Sequence, residues 1–156
     1  MYHQALRGGK SRASSWSPAS SIYVPVANAN WRRSHAEDLV VGAPKDLVLS
    51  PVVIAMWRPM AEALGWPDEP IGWADISELA TSEDGWAGYG YPEWGKFKFG
   101  HTHTDFSNSG LVSAIAQAYA GTGKQRDLTL PDLDSPELRD FMAQVESSII
   151  HYGSST

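Results

Sequence analysis

Apolar and polar positions alternate along the chain in patterns that predict strands separated by helices. The run Leu47–Trp57 is almost continuously apolar and rich in valine, as expected of a strand buried on both faces of a mostly parallel sheet. Pro51 lies inside this run and cannot donate to a ladder, so the strand is expected to bend or change its pairing there. Lys96–Gly100 alternates polar and apolar residues, which predicts a second strand.

Helical spacing of apolar residues predicts five helices, over residues 18–31, 58–65, 73–80, 109–120 and onward from Ser135. In the first, Ser17 is expected to cap the helix and Pro25 to break or kink it. The last opens with Ser135-Pro136-Glu137, and its predicted apolar face consists of Leu138, Phe141, Met142, Val145 and Ile149. Gly121–Lys124 lacks the spacing of a phosphate loop and follows a predicted helix instead of preceding one, so it predicts a helix end.

Strands that alternate with helices predict an α/β domain with right-handed crossovers. A length of 156 residues suits one domain, and 42% hydrophobic with 19% charged residues argues against wholesale disorder. The opening residues 1–15 are small, polar and rich in glycine and serine, which predicts a disordered tail.

Charge and composition exclude several function classes. A net charge of -6 and a pI near 5.2 disfavour nucleic acid as a partner. The absence of cysteine excludes disulfides, thiolate zinc sites and cysteine nucleophiles. No apolar stretch approaches the roughly 18 residues of a membrane span, and the sequence shows no export signal, so export requires a leader that the sequence lacks.

The segment around Ser107, Asn108 and Ser109 is the main candidate for a ligand site. It is a hydroxyl- and amide-rich loop after a predicted strand, and a helix follows at once. Free backbone N–H groups at a helix start, with the positive end of the helix dipole, favour an anion or a carboxylate. Ligands in open α/β sheets bind at the carboxyl ends of strands, where this loop is expected. The alternative is that these residues only cap their own helix.

Several ordered blocks resemble a known family. They are WSPASS at 16–21, LVLSPVVIAMWRPMAEALGWP at 47–67, GWADI at 72–76, KFKFGHTHTDFSNSGL at 96–111 and VESSIIHYGSST at 145–156. Together they are similar to bacterial extracellular solute-binding proteins, closest to those in which this domain is often found beside a von Willebrand factor A domain. The resemblance spans residues 16–156.

The resemblance implies a three-layer, type II periplasmic-binding-protein-like α/β fold, with a mostly parallel sheet flanked by helices. Residues 16–50 would be part of a first lobe, and residues 51–156 a crossing segment and much of a second lobe. Ligand contacts would come from Ser17, Ser20, Ser50 and the Ser107–Ser109 turn, and His151–Thr156 would begin the next stretch that lines the cleft.

The implied function is extracytoplasmic binding of a small polar or anionic solute, for uptake or sensing, without catalysis and without a cofactor. Partners would be a membrane permease or an adjacent von Willebrand factor A domain. Family members are about twice as long as this chain, so the fold is expected to be incomplete. Unpaired sheet edges are then expected to favour a homodimer.

A divalent-metal adhesion module is the alternative. Asp105, Ser107 and Ser109 match the D-x-S-x-S pattern with which von Willebrand factor A domains hold Mg²⁺. In such a domain the motif directly follows a buried strand, whereas here His101–Thr104 intervenes.

Histidines and tryptophans offer two further candidate sites. His101 and His103 would point the same way along a strand with no third metal ligand, so they are expected to line a polar loop or to form local hydrogen bonds. The seven tryptophans could form a stacking platform for a sugar or an aromatic ligand. A role as packing anchors is the favoured interpretation, with Trp57, Trp66 and Trp73 as examples.

Overall fold

The computed structural model describes residues 16–154 and divides the chain into two compact units, Met1–Leu49 and Ser50–Thr156. Its regular elements are helices and one parallel sheet of two strands, so the chain is a mixed helix-and-strand protein, compatible with the predicted α/β class. Two strands are too few to establish the three-layer lobe, which stays a prediction. The predicted tail of residues 1–15 lies outside the described residues. Between residues 16 and 154, no helix is long and apolar enough to cross a membrane.

From residue 16 onward, the first unit contains one helix, α1 (Tyr23–Trp31). The predicted start and the predicted Ser17 cap are both wrong, because a turn at Ser20 precedes the helix and no side chain caps it. The predicted break at Pro25 is also wrong. Pro25 is the third residue of α1, where the backbone nitrogen has no partner within the helix, so proline loses no hydrogen bond there.

Two side chains of the first unit hold the returning chain against α1. Asn28 is buried and exchanges two hydrogen bonds with the backbone of Val40, at 3.0 and 2.9 Å. At the end of the helix, the Arg32 guanidinium makes a bidentate pair with Asp38, which holds the pKa of Arg32 above its ordinary value. The unit is therefore stabilised by these hydrogen bonds and this ion pair as well as by the buried Ala27.

The predicted strand Leu47–Trp57 is wrong. Every residue of this run lies outside helices and strands, and Leu47, Val48 and Leu49 are each at least 80% exposed. A strand exists only through pairing with a neighbour, and neither β-strand of the described chain pairs with this run. The run is apolar in sequence, but in the described part of the chain it is not buried as a strand of a parallel sheet would be.

The second unit contains the remaining helices, α2 (Arg58–Ala63), α3 (Trp73–Thr81), α4 (Asn108–Thr122), α5 (Leu130–Leu133) and α6 (Pro136–Glu146), with 3-10 helices at Gly85–Tyr89 and Pro92–Trp94. The predictions for α2, α3, α4 and α6 are confirmed to within a few residues. Ser135 caps α6 as its sequence indicates, because its hydroxyl accepts a hydrogen bond from the Leu138 N–H at 3.2 Å. Gly123 ends α4 at a φ of 65°, so the predicted helix end is also confirmed.

The core of the second unit lies where α3, α4 and α6 pack together. Its fully buried apolar side chains include Ile76 and Leu79 from α3 and Leu138 and Val145 from α6. Gly121 of α4 lies directly against α6.

Two short parallel strands form the sheet, β1 (Phe99–Thr102) and β2 (Ile149–Gly153). Strand β1 begins three residues later than predicted, and Ile149 belongs to β2 instead of extending α6. Parallel strands need a long crossover. Residues 103–148 supply it and contain α4, α5 and α6, so the carboxyl ends of both strands meet at the pair Thr102 and Gly153.

Candidate functional site

The candidate site lies at the carboxyl ends of the two strands, where the chain turns from β1 into α4. The His103 N–H donates to the carbonyl of Gly153 at 2.8 Å, which extends the sheet by one bond beyond β1. The Ser107 N–H then donates back to the carbonyl of His103 at 3.0 Å, and α4 begins at the next residue. The turn therefore brings the start of a 15-residue helix directly beside the strand end.

Gly110 is the residue that allows this close approach. It is buried in the first turn of α4, and a Cβ there would overlap the carbonyl oxygen of Thr102 and lie 2.9 Å from that of His103. Both obstacles are backbone atoms, which cannot rotate away. Only glycine therefore fits between α4 and the end of β1 without a backbone shift.

A chain of three hydroxyl groups lies at this junction. The hydroxyl of Ser109 is 2.8 Å from that of Ser107 and 3.1 Å from that of Thr102. Ser107 occupies the N-cap position and is buried, but its side chain makes no cap bond to α4. The alternative that Ser107 merely caps its own helix is therefore wrong.

The hydroxyl chain opens into a groove of the second unit with a volume of about 860 Å³. The extended residues 52–57 line it together with residues 96–102, and α3 and α4 contribute further side chains. Three hydroxyl side chains belong to this lining, those of Thr102, Ser109 and Ser113. Ser113 lies one helical turn after Ser109, and Thr102 bonds to Ser109, so the three group together.

Aromatic rings make up much of the rest of the lining. Trp86 is only 3% exposed and contacts Trp94 and Phe97 edge to face, with ring centroids 5.4 and 6.2 Å apart. Phe97 in turn stacks on Phe99 at 5.7 Å. Trp86 and Trp94 thus pack as the sequence predicts, whereas Trp57 is 79% exposed and is not a packing anchor.

The groove has two charged side chains in its lining, and both are lysines. Lys96 and Lys98 line the groove, and no aspartate or glutamate does. The Lys96 ammonium donates to the backbone carbonyls of Ser82 and Glu83. Lys98 is exposed and, among residues 16–154, forms no ion pair with a carboxylate. In a chain of net charge -6, this groove is a local region of positive charge.

His101 also lines the groove and contacts the neighbouring strand. Its ring lies edge-on to those of Phe99 and Tyr152, with centroids 6.3 and 6.2 Å away. Both ring nitrogens are buried, and neither has a hydrogen-bond partner in the described part of the chain. Burial raises the pKa of nearby Glu146, and its electrostatic interaction with His101 acts in the opposite direction. Glu146 also accepts a hydrogen bond from the Tyr152 hydroxyl.

Only some of the predicted ligand residues lie at the groove. Ser109 lines the groove, and Ser107 is bonded to it. Asn108 does not line the groove, and its buried carbonyl oxygen has no partner within residues 16–154. Ser50 is exposed and does not line the groove, while Ser17 is exposed and belongs to the first unit. Ser20, in the same unit, is half-buried, and its hydroxyl accepts the Ile22 N–H.

Sequence reasoning missed Thr102 and Ser113 as site residues. A signal for Ser113 exists, because Ser109, Ser113 and Gln117 follow one another at intervals of four and so share one face of α4. Ser113 and Gln117 are indeed buried, with exposures of 7% and 0%. Thr102 carries no comparable signal, because its contact with Ser109 depends on how α4 packs against β1.

The alternative metal residues show only part of the expected arrangement. Ser107 and Ser109 lie side by side, but the Asp105 carboxylate is largely exposed and lies 3.9 Å from the Nδ1 atom of His103. Between residues 16 and 154, no three histidine, aspartate or glutamate side chains come close enough to hold a metal ion. His101 and His103 instead share contacts with the Tyr152 ring. The Mg²⁺ hypothesis stays a prediction.

Comparison with known proteins adds no assignment: the chain matches no family model, no curated protein and no solved structure. The resemblance to extracellular solute-binding proteins therefore stays a prediction from sequence. Function has to be inferred from the turn, the hydroxyl chain and the groove themselves.

Proposed function

We propose that this chain is a solute-binding module that works outside the cytoplasm, in uptake or sensing, and does not catalyse a reaction. Its ligand, a small polar or anionic solute, binds at the start of α4. The observation that carries the proposal is the contact at Gly110, which holds the first turn of α4 and the hydroxyl of Ser109 at the carboxyl end of β1.

The physical basis is the supply of hydrogen-bond donors at this junction. The first turn of a helix has N–H groups without intrahelical partners, and the dipole adds partial positive charge. The N-cap residue Ser107 makes no side-chain cap bond to α4, and hydroxyl groups of Ser109 and Thr102 lie beside the same turn. Donors held rigidly by a helix and a strand can bind an oxyanion or a carboxylate with little loss of side-chain entropy.

The same contacts favour binding over catalysis. A serine or threonine nucleophile needs a general base within hydrogen-bonding reach. Here the hydroxyls of Thr102 and Ser107 both pair with the Ser109 hydroxyl, as in a chain of polar contacts. The junction therefore has the chemistry of a polar contact surface.

The finer fold is part of this proposal. Residues 51–156 would be the crossing segment and much of the second lobe of a type II periplasmic-binding-protein-like receptor. In such receptors, closure of two lobes around the solute reports occupancy to a permease or to an adjacent domain. The parallel β1–β2 pair and its helical crossover are compatible with a lobe of this kind.

Isothermal titration calorimetry of the full chain against oxyanions, amino acids, sugars and monocarboxylates tests the proposal. We expect saturable heat with at least one class, and a loss of affinity of about tenfold in Ser109→Ala, the usual scale for one hydrogen bond to a charged group. Ser147→Ala is the matched control, because Ser147 is exposed at the end of α6 and outside the groove. No binding to any class would contradict the proposal.

The metal alternative is separated by a second titration with Mg²⁺. A metal-dependent adhesion module predicts a rise in melting temperature on adding Mg²⁺ that Asp105→Ala abolishes. The solute-binding proposal instead predicts that ligand affinity in Asp105→Ala is unchanged and independent of Mg²⁺.

A further inference from the structure

The composition of the groove restricts the ligand of the proposed site. We infer that this ligand is an amphipathic carboxylate, with an aryl or alkyl body along the aromatic side of the groove and its carboxylate at the hydroxyl groups of Thr102, Ser109 and Ser113. This inference rests on the proposed function and narrows it from small polar solutes in general to one chemical class.

The apolar body is inferred from what lines the groove. Trp73, Trp86, Phe97 and Phe99 line it together with the apolar run of residues 52–57. A volume of about 860 Å³ lies within the ordinary range for sites that hold small organic molecules. A phosphate or a sulfate would fill only a small part of this volume and would leave the apolar walls in contact with water.

The carboxylate is inferred from the charges and hydroxyls of the lining. Lys96 and Lys98 are its charged residues, no acidic side chain opposes them, and the hydroxyl groups supply neutral donors. Lys98 has no carboxylate partner among the described ion pairs, so its ammonium is available to a ligand. Charge complementarity therefore favours an anion, and the hydroxyl cluster fixes where its oxygens bind.

The polar side chains of the lining argue against two competing ligand classes. A sugar presents many hydroxyl groups, and each needs a polar partner when buried. The lining contains no aspartate, glutamate, asparagine, glutamine or arginine, so its polar side chains are three hydroxyl groups, two lysines and His101, which together offer few partners for a sugar. A zwitterionic amino acid needs a carboxylate for its ammonium group, and the same absence leaves that group unpaired.

Three probes test the apolar body and the carboxylate of the inferred ligand separately. Titrations of the full chain would use 3-phenylpropanoate, the neutral 3-phenylpropan-1-ol and acetate, followed by calorimetry and by tryptophan fluorescence. Four tryptophans line the groove, so binding should change the emission. We expect 3-phenylpropanoate to bind at least about tenfold more tightly than either the alcohol or acetate.

Two variants with matched controls locate the contacts. Lys98→Gln should reduce the preference for the acid over the alcohol, whereas Lys45→Gln, which changes net charge equally at an exposed site outside the groove, should not. Trp57→Ala should weaken 3-phenylpropanoate but not acetate. Trp57 is 79% exposed, so its removal should leave the fold intact, and Trp66→Ala is the control because Trp66 is 45% exposed and outside the lining.

Each failure has a distinct meaning. Acetate or sulfate binding as tightly as 3-phenylpropanoate, or a sugar or amino acid binding more tightly, would overturn this inference and leave the proposed solute-binding function standing. Equal affinity for the acid and the alcohol, or an unchanged affinity in Trp57→Ala, would also overturn it. No binding of any solute would overturn both.

Discussion

The substitution Gly110→Ala tests the junction on which the site depends. A methyl group at this position would collide with the carbonyl oxygens of Thr102 and His103, so α4 would have to move away from β1. Overpacking of this kind costs about 1–3 kcal/mol, and the upper half applies here because the obstacles are backbone atoms. Replacing glycine by alanine in a helix returns up to about 1 kcal/mol. We therefore expect a net loss of about 2 kcal/mol.

Gly121→Ala is the matched control because it places the same methyl group on the same helix. There the nearest atoms are side-chain carbons of Leu138 and Phe141, 2.8 Å from the added Cβ. Side-chain atoms can shift more readily than a backbone carbonyl, and the helix-propensity gain is the same, so the net loss should be smaller than that of Gly110→Ala.

Urea unfolding followed by circular dichroism measures both variants. With a slope of about 1–3 kcal/mol per molar urea for a small protein, a loss of 2 kcal/mol lowers the midpoint by about 1 M. Gly110→Ala should also weaken ligand binding, because the helix start would no longer lie at the strand end. The reasoning is refuted if Gly110→Ala is as stable as the unmodified protein, or no less stable than Gly121→Ala.

Three further predictions concern other parts of the second unit. Hydrogen bonds from Lys124, and from the hydroxyl and N–H of Thr129, lower the pKa of the Asp132 carboxyl to about 2. These bonds therefore stabilise the folded state above about pH 4, and their contribution is lost as the pH falls toward 2. The stability difference between the unmodified protein and Asp132→Asn in urea unfolding should therefore shrink over that range, and a difference independent of pH would contradict the assignment. Ser135→Ala should lower the free energy of unfolding by about 1 kcal/mol and Ser135→Gly by only a few tenths, since glycine is tolerated at an N-cap; equal losses would contradict the cap. Gly85→Ala should lower the melting temperature more than Gly90→Ala, because both have positive φ but only at Gly85 would a Cβ meet backbone, 2.6 Å from a carbonyl oxygen. The reverse order would contradict that packing.

Local signals in the sequence predict the helices of the second unit well. Ser135 followed by proline, and glycine at position 123, act within one turn of the chain, so their effect does not depend on distant residues. The strands are predicted less well, because a strand is defined by its partner. The run Leu47–Trp57 has a strand-like composition but pairs with neither β-strand, and β1 begins only where Phe99 meets Ile149.

The candidate site is predictable in part for the same reason. Ser107 and Ser109 are identified from a helix start that follows a strand, which is a local pattern. Thr102 becomes a site residue only because Gly110 lets α4 approach the strand, a tertiary contact that residue spacing does not encode. The neighbouring aromatic groove depends on residues from 52 to 113, so its composition becomes apparent only in the folded unit.

The long connection between the two strands links the junction to the folding of the whole second unit. Residues 103–148 separate β1 from β2, so pairing of the two strands closes a long loop that contains α4, α5 and α6. Fraying of either strand at its carboxyl end would disrupt the junction at which α4 begins. A bound solute there should slow amide hydrogen exchange in both strands and in the helices between them, as one cooperative unit.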